Sequence, residues 1–277
     1  MSTPAVQAQQ QPAPSDATSA LADLKLAAVW GVLAGLSTAA LMPHLAQMMP
    51  ERFARLPMSL GALAAIQSLQ ALVLMGALAW LGLRMSHRTG LGSPLLRAWV
   101  IARRNADWSR LDPGRTAVLG MVTGLAIVAL SALTNPLLPA MAHPPARSDA
   151  EGAALNGLLA SFYGGIAEEL QLRLFVMTLL VWIAARLRRT RLPAAAYWIA
   201  IAAAALLFGV GHLPAAAQVW GLDGIVIART LLLNGLGGLV FGWLYWRRGL
   251  EMAMLGHFCA DLVLHVAVPL THLGATP

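Results

Sequence analysis

Seven segments of the chain are nearly continuous in apolar residues, and polar residues cluster in the short stretches between them. The apolar segments run from about Leu24 to Leu45, Leu60 to Leu83, Ala117 to Leu138, Leu155 to Leu187, Ala194 to Trp220, Gly224 to Trp246 and Leu250 to Leu270. About 20 apolar residues carry an α-helix across a bilayer, so each segment predicts one transmembrane helix. The expected fold is an all-α, polytopic membrane helix bundle of about seven spans, one transmembrane domain over residues 21–277 with no internal repeat. Residues 1–20, rich in Ala, Pro, Gln and Ser, lack the apolar core of a signal peptide and cannot bury enough surface to fold, which predicts a disordered tail.

Composition strengthens this picture. Of 277 residues 58% are hydrophobic and 11% charged, with a mean hydropathy of +0.67, well outside the range of soluble globular domains. Nineteen basic residues, eighteen of them Arg, against twelve acidic ones give a net charge of +7. Such a balance invites a nucleic-acid partner, but the arginines gather in short connections as the positive-inside rule requires, so no nucleic acid is expected. Between Arg84 and Arg115 lie Arg84, Arg88, Arg97, Arg103, Arg104, Arg110 and Arg115 against Asp107 and Asp112. Arg186, Arg188, Arg189 and Arg191, then Arg247 and Arg248, follow two and four crossings later. This alternation places the N-terminus in the cytoplasm and the stretch from Arg147 to Glu151 outside. Arg97 to Trp108 mixes arginines with Trp99, Val100 and Ile101, as an interfacial amphipathic helix would. Cys259 is the single cysteine, which excludes an intrachain disulfide or a Cys-based metal site. Gly31-x-x-x-Gly35 and Gly238-x-x-x-Gly242 have the spacing of close helix packing. Nothing in the pattern sets an oligomeric state.

Against this apolar background three patterns stand out: Glu168-Glu169-x-x-x-Arg173, Phe208-x-x-x-His212 and His257-x-x-x-Asp261. A charge near the bilayer centre costs about 2.5 to 3.5 kcal/mol on insertion scales, so ionisable groups there point to a function. At about 100° per helical residue, Glu169 and Arg173 share a face one turn apart, where they can pair, while Glu168 is offset from Arg173 by about 140°. Glu168 is therefore read as the general base, with Glu169 as its electrostatic and structural support. A helix rises ~1.5 Å per residue, which puts Glu168 and His257 at nearly the same depth. His212 joins them if its helix continues past Pro214, with a kink or break there, which places an active site within the membrane. Among the other polar residues, Arg229 and Asp223 read as interfacial snorkelling groups. Asn234, Gln67 and Gln70 read as interhelical hydrogen-bonding residues. His265, one turn beyond Asp261, is close enough to touch the site, whereas His44, His87, His143 and His272 indicate nothing specific.

The three ordered patterns over residues 155–270 resemble the signature of the CPBP family of intramembrane proteases, which includes type II CAAX prenyl endopeptidases and bacterial relatives linked to bacteriocin processing and self-immunity. The resemblance implies an intramembrane endopeptidase in which Glu168 activates a water, His212 positions it or relays a proton, and His257 with Asp261 faces the oxyanion. It implies no essential cofactor and a membrane-associated protein or peptide substrate. Two positions depart from the family pattern: Leu174 replaces a frequent glycine, and Asp261 replaces the usual asparagine. An ionised aspartate accepts hydrogen bonds but donates none. Asp261 must then be protonated, orient His257 by accepting its ring N–H, or ligate a metal.

Two alternatives accompany this reading. Glu168, His212, His257 and Asp261 form an acceptable zinc ligand set, although HExxH is absent. A proton-coupled transporter or a bacteriocin-immunity membrane protein would also bury such groups. The Arg- and Ala-rich composition points to a bacterial cytoplasmic membrane.

Overall fold

The computed structural model describes residues 18–188 and 192–271. Residues 1–17 of the expected tail, together with Arg189, Arg191 and His272, lie outside the described residues. Its last three residues are ordered: Thr18 accepts a hydrogen bond from Arg84, Ser19 caps a helix, and Ala20 begins it.

Among the described residues seven helices are long and apolar enough to cross a membrane. They are α1 (Ala20–Met48), α2 (Leu60–Ser86), α3 (Pro113–Thr134), α4 (Ala150–Leu187), α5 (Ala194–Trp220), α6 (Gly224–Arg248) and α7 (Leu250–Leu270). The chain is thus an all-α, multi-pass membrane protein. Side-chain acceptors satisfy first-turn N–H groups at five of the seven starts. Ser19, Ser59, Asp112, Asp149 and Asp223 accept from Ala22, Ala62, Arg115, Gly152 and Val226. Asp223 is therefore a cap of α6 rather than a snorkelling group. Pro214 lies inside α5, which continues past it to Trp220, as the expected depth of His212 requires.

Large apolar side chains such as Leu69, Val73, Leu125, Leu133 and Ile199 stay exposed on the outside, where acyl chains replace water. Inside, α1 and α2 pack through Gly31 and Gly35 onto Leu72 and Ser68, and α6 packs through Gly238 and Gly242 onto Ala205 and Ile201 of α5. Both small-residue patterns serve packing within this chain. Leu174 is fully buried with its carbonyl pressed against Gly82 of α2.

The face bearing the Arg-rich connections is tied together by ions and caps. Asp23 of α1 is wholly buried and binds Arg84, His87 and Arg97. Glu251 of α7 accepts from the Ser93 hydroxyl and the Leu96 amide. Gly249 turns from α6 into α7 at φ 98°, a backbone region that favours glycine. Residues 97–108 do not form one amphipathic helix. A wide turn over Arg97–Ile101 ends before Arg103, which takes φ 47°, and a short helix restarts at Trp108–Leu111. Gln70 is exposed and Asn234 bonds its own helix at the Thr230 carbonyl. Among the described residues neither Gln67 nor Gln70 bridges helices.

Gly120 of α3 marks the closest approach to α7. A methyl group there would lie 2.9 Å from the Cys259 Cβ and 3.0 Å from the Gly256 carbonyl carbon. Gly120→Ala is expected to destabilise the bundle by about 1 to 3 kcal/mol. Gly114→Ala, where a methyl group meets nothing within 4 Å, should be neutral or slightly stabilising. Thermal unfolding of both variants in one detergent checks the opposite signs.

Candidate active site

The site is built where α4 departs from regular geometry. Over Gly164–Glu168 and again over Leu170–Met177 its backbone takes wide turns of i→i+5 hydrogen bonding, a form frequent at functional positions. Gly164 and Gly165 open this stretch and let α7 close in. A methyl group on Gly164 would lie 3.1 Å from the His257 Nε2 and would overlap the Asp261 carboxylate. One on Gly165 would lie 3.2 Å from both the Met254 carbonyl oxygen and the Phe258 Cβ. Two adjacent missing side chains thus set how near the His257 helix stands to Glu168 and Glu169.

Glu169 and Arg173 have no solvent exposure and pair at 3.2 Å between Oε1 and Nη1. Arg173 Nη2 donates to the Gly238 carbonyl at 3.2 Å. Its guanidinium lies 5.1 Å from the centre of the Phe208 ring and 5.7 Å from that of Phe241, within cation–π range. The same Glu169 Oε1 accepts from His257 Nδ1 at 2.8 Å. Phe241 stacks on the His257 ring at 4.4 Å, and Phe208 meets it edge-on at 5.6 Å. His257 is therefore held by a carboxylate on one side and by two aromatic rings around it.

Glu168 faces the other way, into a cavity of about 740 Å³. Its Oε1 lies 3.8 Å from His212 Nε2 and its Oε2 lies 3.8 Å from His257 Nε2. The depth agreement expected for these residues is present as contact-range proximity. His212 Nδ1 donates to the Phe208 carbonyl at 2.8 Å, an i−4 contact that makes Nδ1 the protonated nitrogen and turns Nε2 toward Glu168. Asp261 Oδ1 stands 3.7 Å from His257 Nε2, too far for a hydrogen bond. Of the roles open to Asp261, orienting His257 thus falls instead to Glu169. A zinc site needs ligand atoms about 2 Å from one point; among the described residues no group of three or more His, Cys, Asp and Glu side chains is so arranged.

The cavity runs from Glu168, His257 and Asp261 to Met48, Asn135, Val219 and Arg229. Those last four residues sit at the ends of α1, α3, α5 and α6 remote from the Arg-rich connections. His44 and His265 also line it, 5.6 Å apart edge to face. Arg229 is not a free snorkelling group: it bonds Ser131, Thr134 and Asn135 at the end of α3. Phe241, Gly164, His44 and Arg229 were not singled out by the patterns. Only Phe241 had a signal in the sequence, lying three residues after Gly238 on the close-packed face of α6.

A family model described as "Rce1-like: Type II CAAX prenyl endopeptidase Rce1-like" matches residues 150–263, a range that contains all three patterns. No curated protein and no solved structure matches the chain.

Replacing Glu169 alone would leave Arg173 charged and buried. Glu169→Gln should therefore destabilise the protein by about 3 to 5 kcal/mol, whereas the double change Glu169→Gln with Arg173→Met recovers most of that loss. Glu168→Gln, at a cavity wall, should change stability by no more than about 1 kcal/mol. Denaturation of the three variants in the same detergent separates support from cavity-facing carboxylate.

Proposed function

We propose, from the match of residues 150–263 to the Rce1-like model of type II CAAX prenyl endopeptidases, that this chain is an intramembrane endopeptidase using a glutamate-activated water. The substrate is a peptide segment of a membrane-associated protein. The observation that carries the reading is the convergence of Glu168, His212 and His257 from three helices at 3.8 Å spacings beside one cavity. Polar atoms at such separations are a seat for a bridging water.

In the proposed reaction Glu168 takes a proton from that water, while His212 Nε2 holds it by accepting its second hydrogen. The oxygen attacks the scissile carbonyl carbon, and the carbonyl electron pair moves to its oxygen. His257, as an imidazolium donating through Nδ1 to Glu169 and through Nε2 into the cavity, meets the developing oxyanion. Glu168 then gives its proton to the leaving amine nitrogen as the C–N bond breaks. Phe208 and Arg173 act by position, the ring against both imidazoles and the guanidinium on Glu169. Asp261 adds a donor only when protonated.

Access follows from charge. The connections rich in arginine lie at one end of the bundle and the cavity extends toward the other. In a bacterial cytoplasmic membrane the arginines face the cytoplasm, as does the N-terminus, so the substrate reaches Glu168 from the outer side. Introduced in a Cys259→Ser background, Met49→Cys should react with an impermeant maleimide on intact cells, and Arg88→Cys only after permeabilisation.

Purified protein in proteoliposomes should cleave members of a membrane-associated peptide library. Glu168→Gln should slow cleavage by about 10²- to 10⁴-fold, and His257→Ala by about 10²- to 10³-fold. Activity that persists after complete chelation eliminates the zinc-dependent variant of the mechanism. Absence of cleavage together with substrate-dependent proton flux would favour a transporter. Asp261→Asn supplies an amide donor at every pH and should preserve or raise the rate, whereas a metal-ligating Asp261 would lose activity on the same change.

A further inference from the structure

Outside the cavity, the connection between α2 and α3 carries an exposed patch of two tryptophans among arginines. A wide turn over Arg97–Ile101 and a short helix over Trp108–Leu111 are joined through Arg103, which takes φ 47°. Trp108 lies nine residues after Trp99 in sequence, yet their ring centres are 6.0 Å apart. The two side chains are 49% and 51% exposed, and Val100 next to Trp99 is 40% exposed. The other side of the same segment is fixed to the bundle, with Ala98 and Leu111 buried and Ile101 packed on the core. Two short pieces thus reach the amphipathic character that one helix was expected to supply. The acids of the connection are engaged locally: Asp107 accepts from the Ser109 hydroxyl and the Arg110 amide, and Asp112 accepts from the Arg115 amide and faces Arg248. Arg103 and Arg104, between the tryptophans in sequence, and Arg110 just after them stay exposed. Among the described residues no carboxylate lies within ion-pair distance of these three side chains.

We propose that this face is a docking surface for anionic phospholipid headgroups of the adjoining leaflet, with the indoles of Trp99 and Trp108 at headgroup level and Arg103, Arg104 and Arg110 on the phosphates. Its place in the fold selects a lipid. The segment joins the end of α2 at Ser86 to the start of α3 at Pro113, and its buried side holds it against the bundle at the level where those spans end. Outward apolar side chains there meet the boundary between acyl chains and headgroups, where tryptophan is favoured. Guanidinium groups supply the complementary charge, since they pair with phosphate oxygens through two parallel N–H donors. The contact also has a mechanical consequence. The Ser93 hydroxyl and the Leu96 amide bond Glu251, and the Leu250 amide donates to the Gly92 carbonyl at 2.9 Å. A bound headgroup therefore holds a segment fastened to the start of α7, the helix that carries His257. Nothing in this inference depends on the peptidase reading of the cavity.

The test titrates the full-length protein in dodecyl maltoside with phosphatidylglycerol or phosphatidylcholine carrying the same brominated acyl chains, and follows quenching of tryptophan fluorescence. Each arginine near an anionic surface contributes about fivefold, so phosphatidylglycerol should bind about tenfold or more tightly than phosphatidylcholine. That ratio should shrink as salt is raised. Arg103→Gln combined with Arg104→Gln and Arg110→Gln should bring it toward one. Arg52→Gln with Arg55→Gln, exposed at the other end of the bundle, should leave it unchanged. Trp99→Phe with Trp108→Phe should remove the part of the quenching that is specific to phosphatidylglycerol. In nanodiscs the wild type should unfold a few degrees higher in phosphatidylglycerol than in phosphatidylcholine, and the triple arginine variant should lose that gain. Unfolding of the triple variant at the wild-type temperature in phosphatidylcholine separates a lost lipid contact from a damaged fold. Equal binding of the two lipids, or a preference that survives the triple change, overturns the docking surface. So does quenching that is indifferent to the loss of both indoles. Displacement of phosphatidylglycerol by a soluble polyglutamate peptide would assign the surface to an acidic protein instead, and also overturns it.

Discussion

Arg173 sits in the middle of a membrane bundle with no exposure at all. A guanidinium there must be neutralised on the spot, because neither water nor lipid can do it. Glu169 supplies the counter-charge, Gly238 a carbonyl, and Phe208 and Phe241 their ring faces. Those partners come from α4, α5 and α6, so satisfying one cation fixes how three helices meet. The residue that completes the arrangement is His257 of α7, bound to the same carboxylate oxygen that faces Arg173. The adjacent glutamates thus divide their work by direction: Glu169 points into this closed cluster, and Glu168 points into the cavity.

Close approach of the helices makes that division geometrically available. An ordinary α4 with side chains at positions 164 and 165 would hold α7 away, and His257 could not reach Glu169. The wide turns following those two glycines then bring consecutive carboxylates to two different surroundings. Rigidity elsewhere supports this. Asp23 and Glu251 draw the connections on the Arg-rich face onto α1 and α7, while the cavity extends toward the opposite face.

Much of this was legible in the sequence because the bilayer simplifies the code. Seven apolar runs of spanning length gave seven helices, and the polar residues inside them were conspicuous. The Glu169–Arg173 pair followed from i,i+4 spacing alone. Contributions whose signal is ordinary in an apolar chain were hidden: Gly164 is one of 25 glycines, and His44 has no local pattern that sets it apart. The misread positions have a common cause. Arg229 and Asp223, near a span end, were taken for groups reaching toward water, yet one bonds a neighbouring helix and the other caps its own. Asn234 likewise finds its partner within α6. Side-chain polarity shows that a partner is needed, but only tertiary placement shows which one.

The aspartate at position 261 is better understood in this setting. Its carboxylate stands near His257 Nε2 but beyond hydrogen-bonding distance, while Nδ1 is already committed to Glu169. Asp261 therefore leaves the ring's orientation to others and borders the space where an oxyanion would form. An ionised group there would oppose the charge that His257 meets in the proposed reaction, whereas a protonated one would donate alongside it. Asp261 thus couples the proposed oxyanion site to the protonation of one carboxyl at the cavity wall, a dependence that an amide at the same position would not impose.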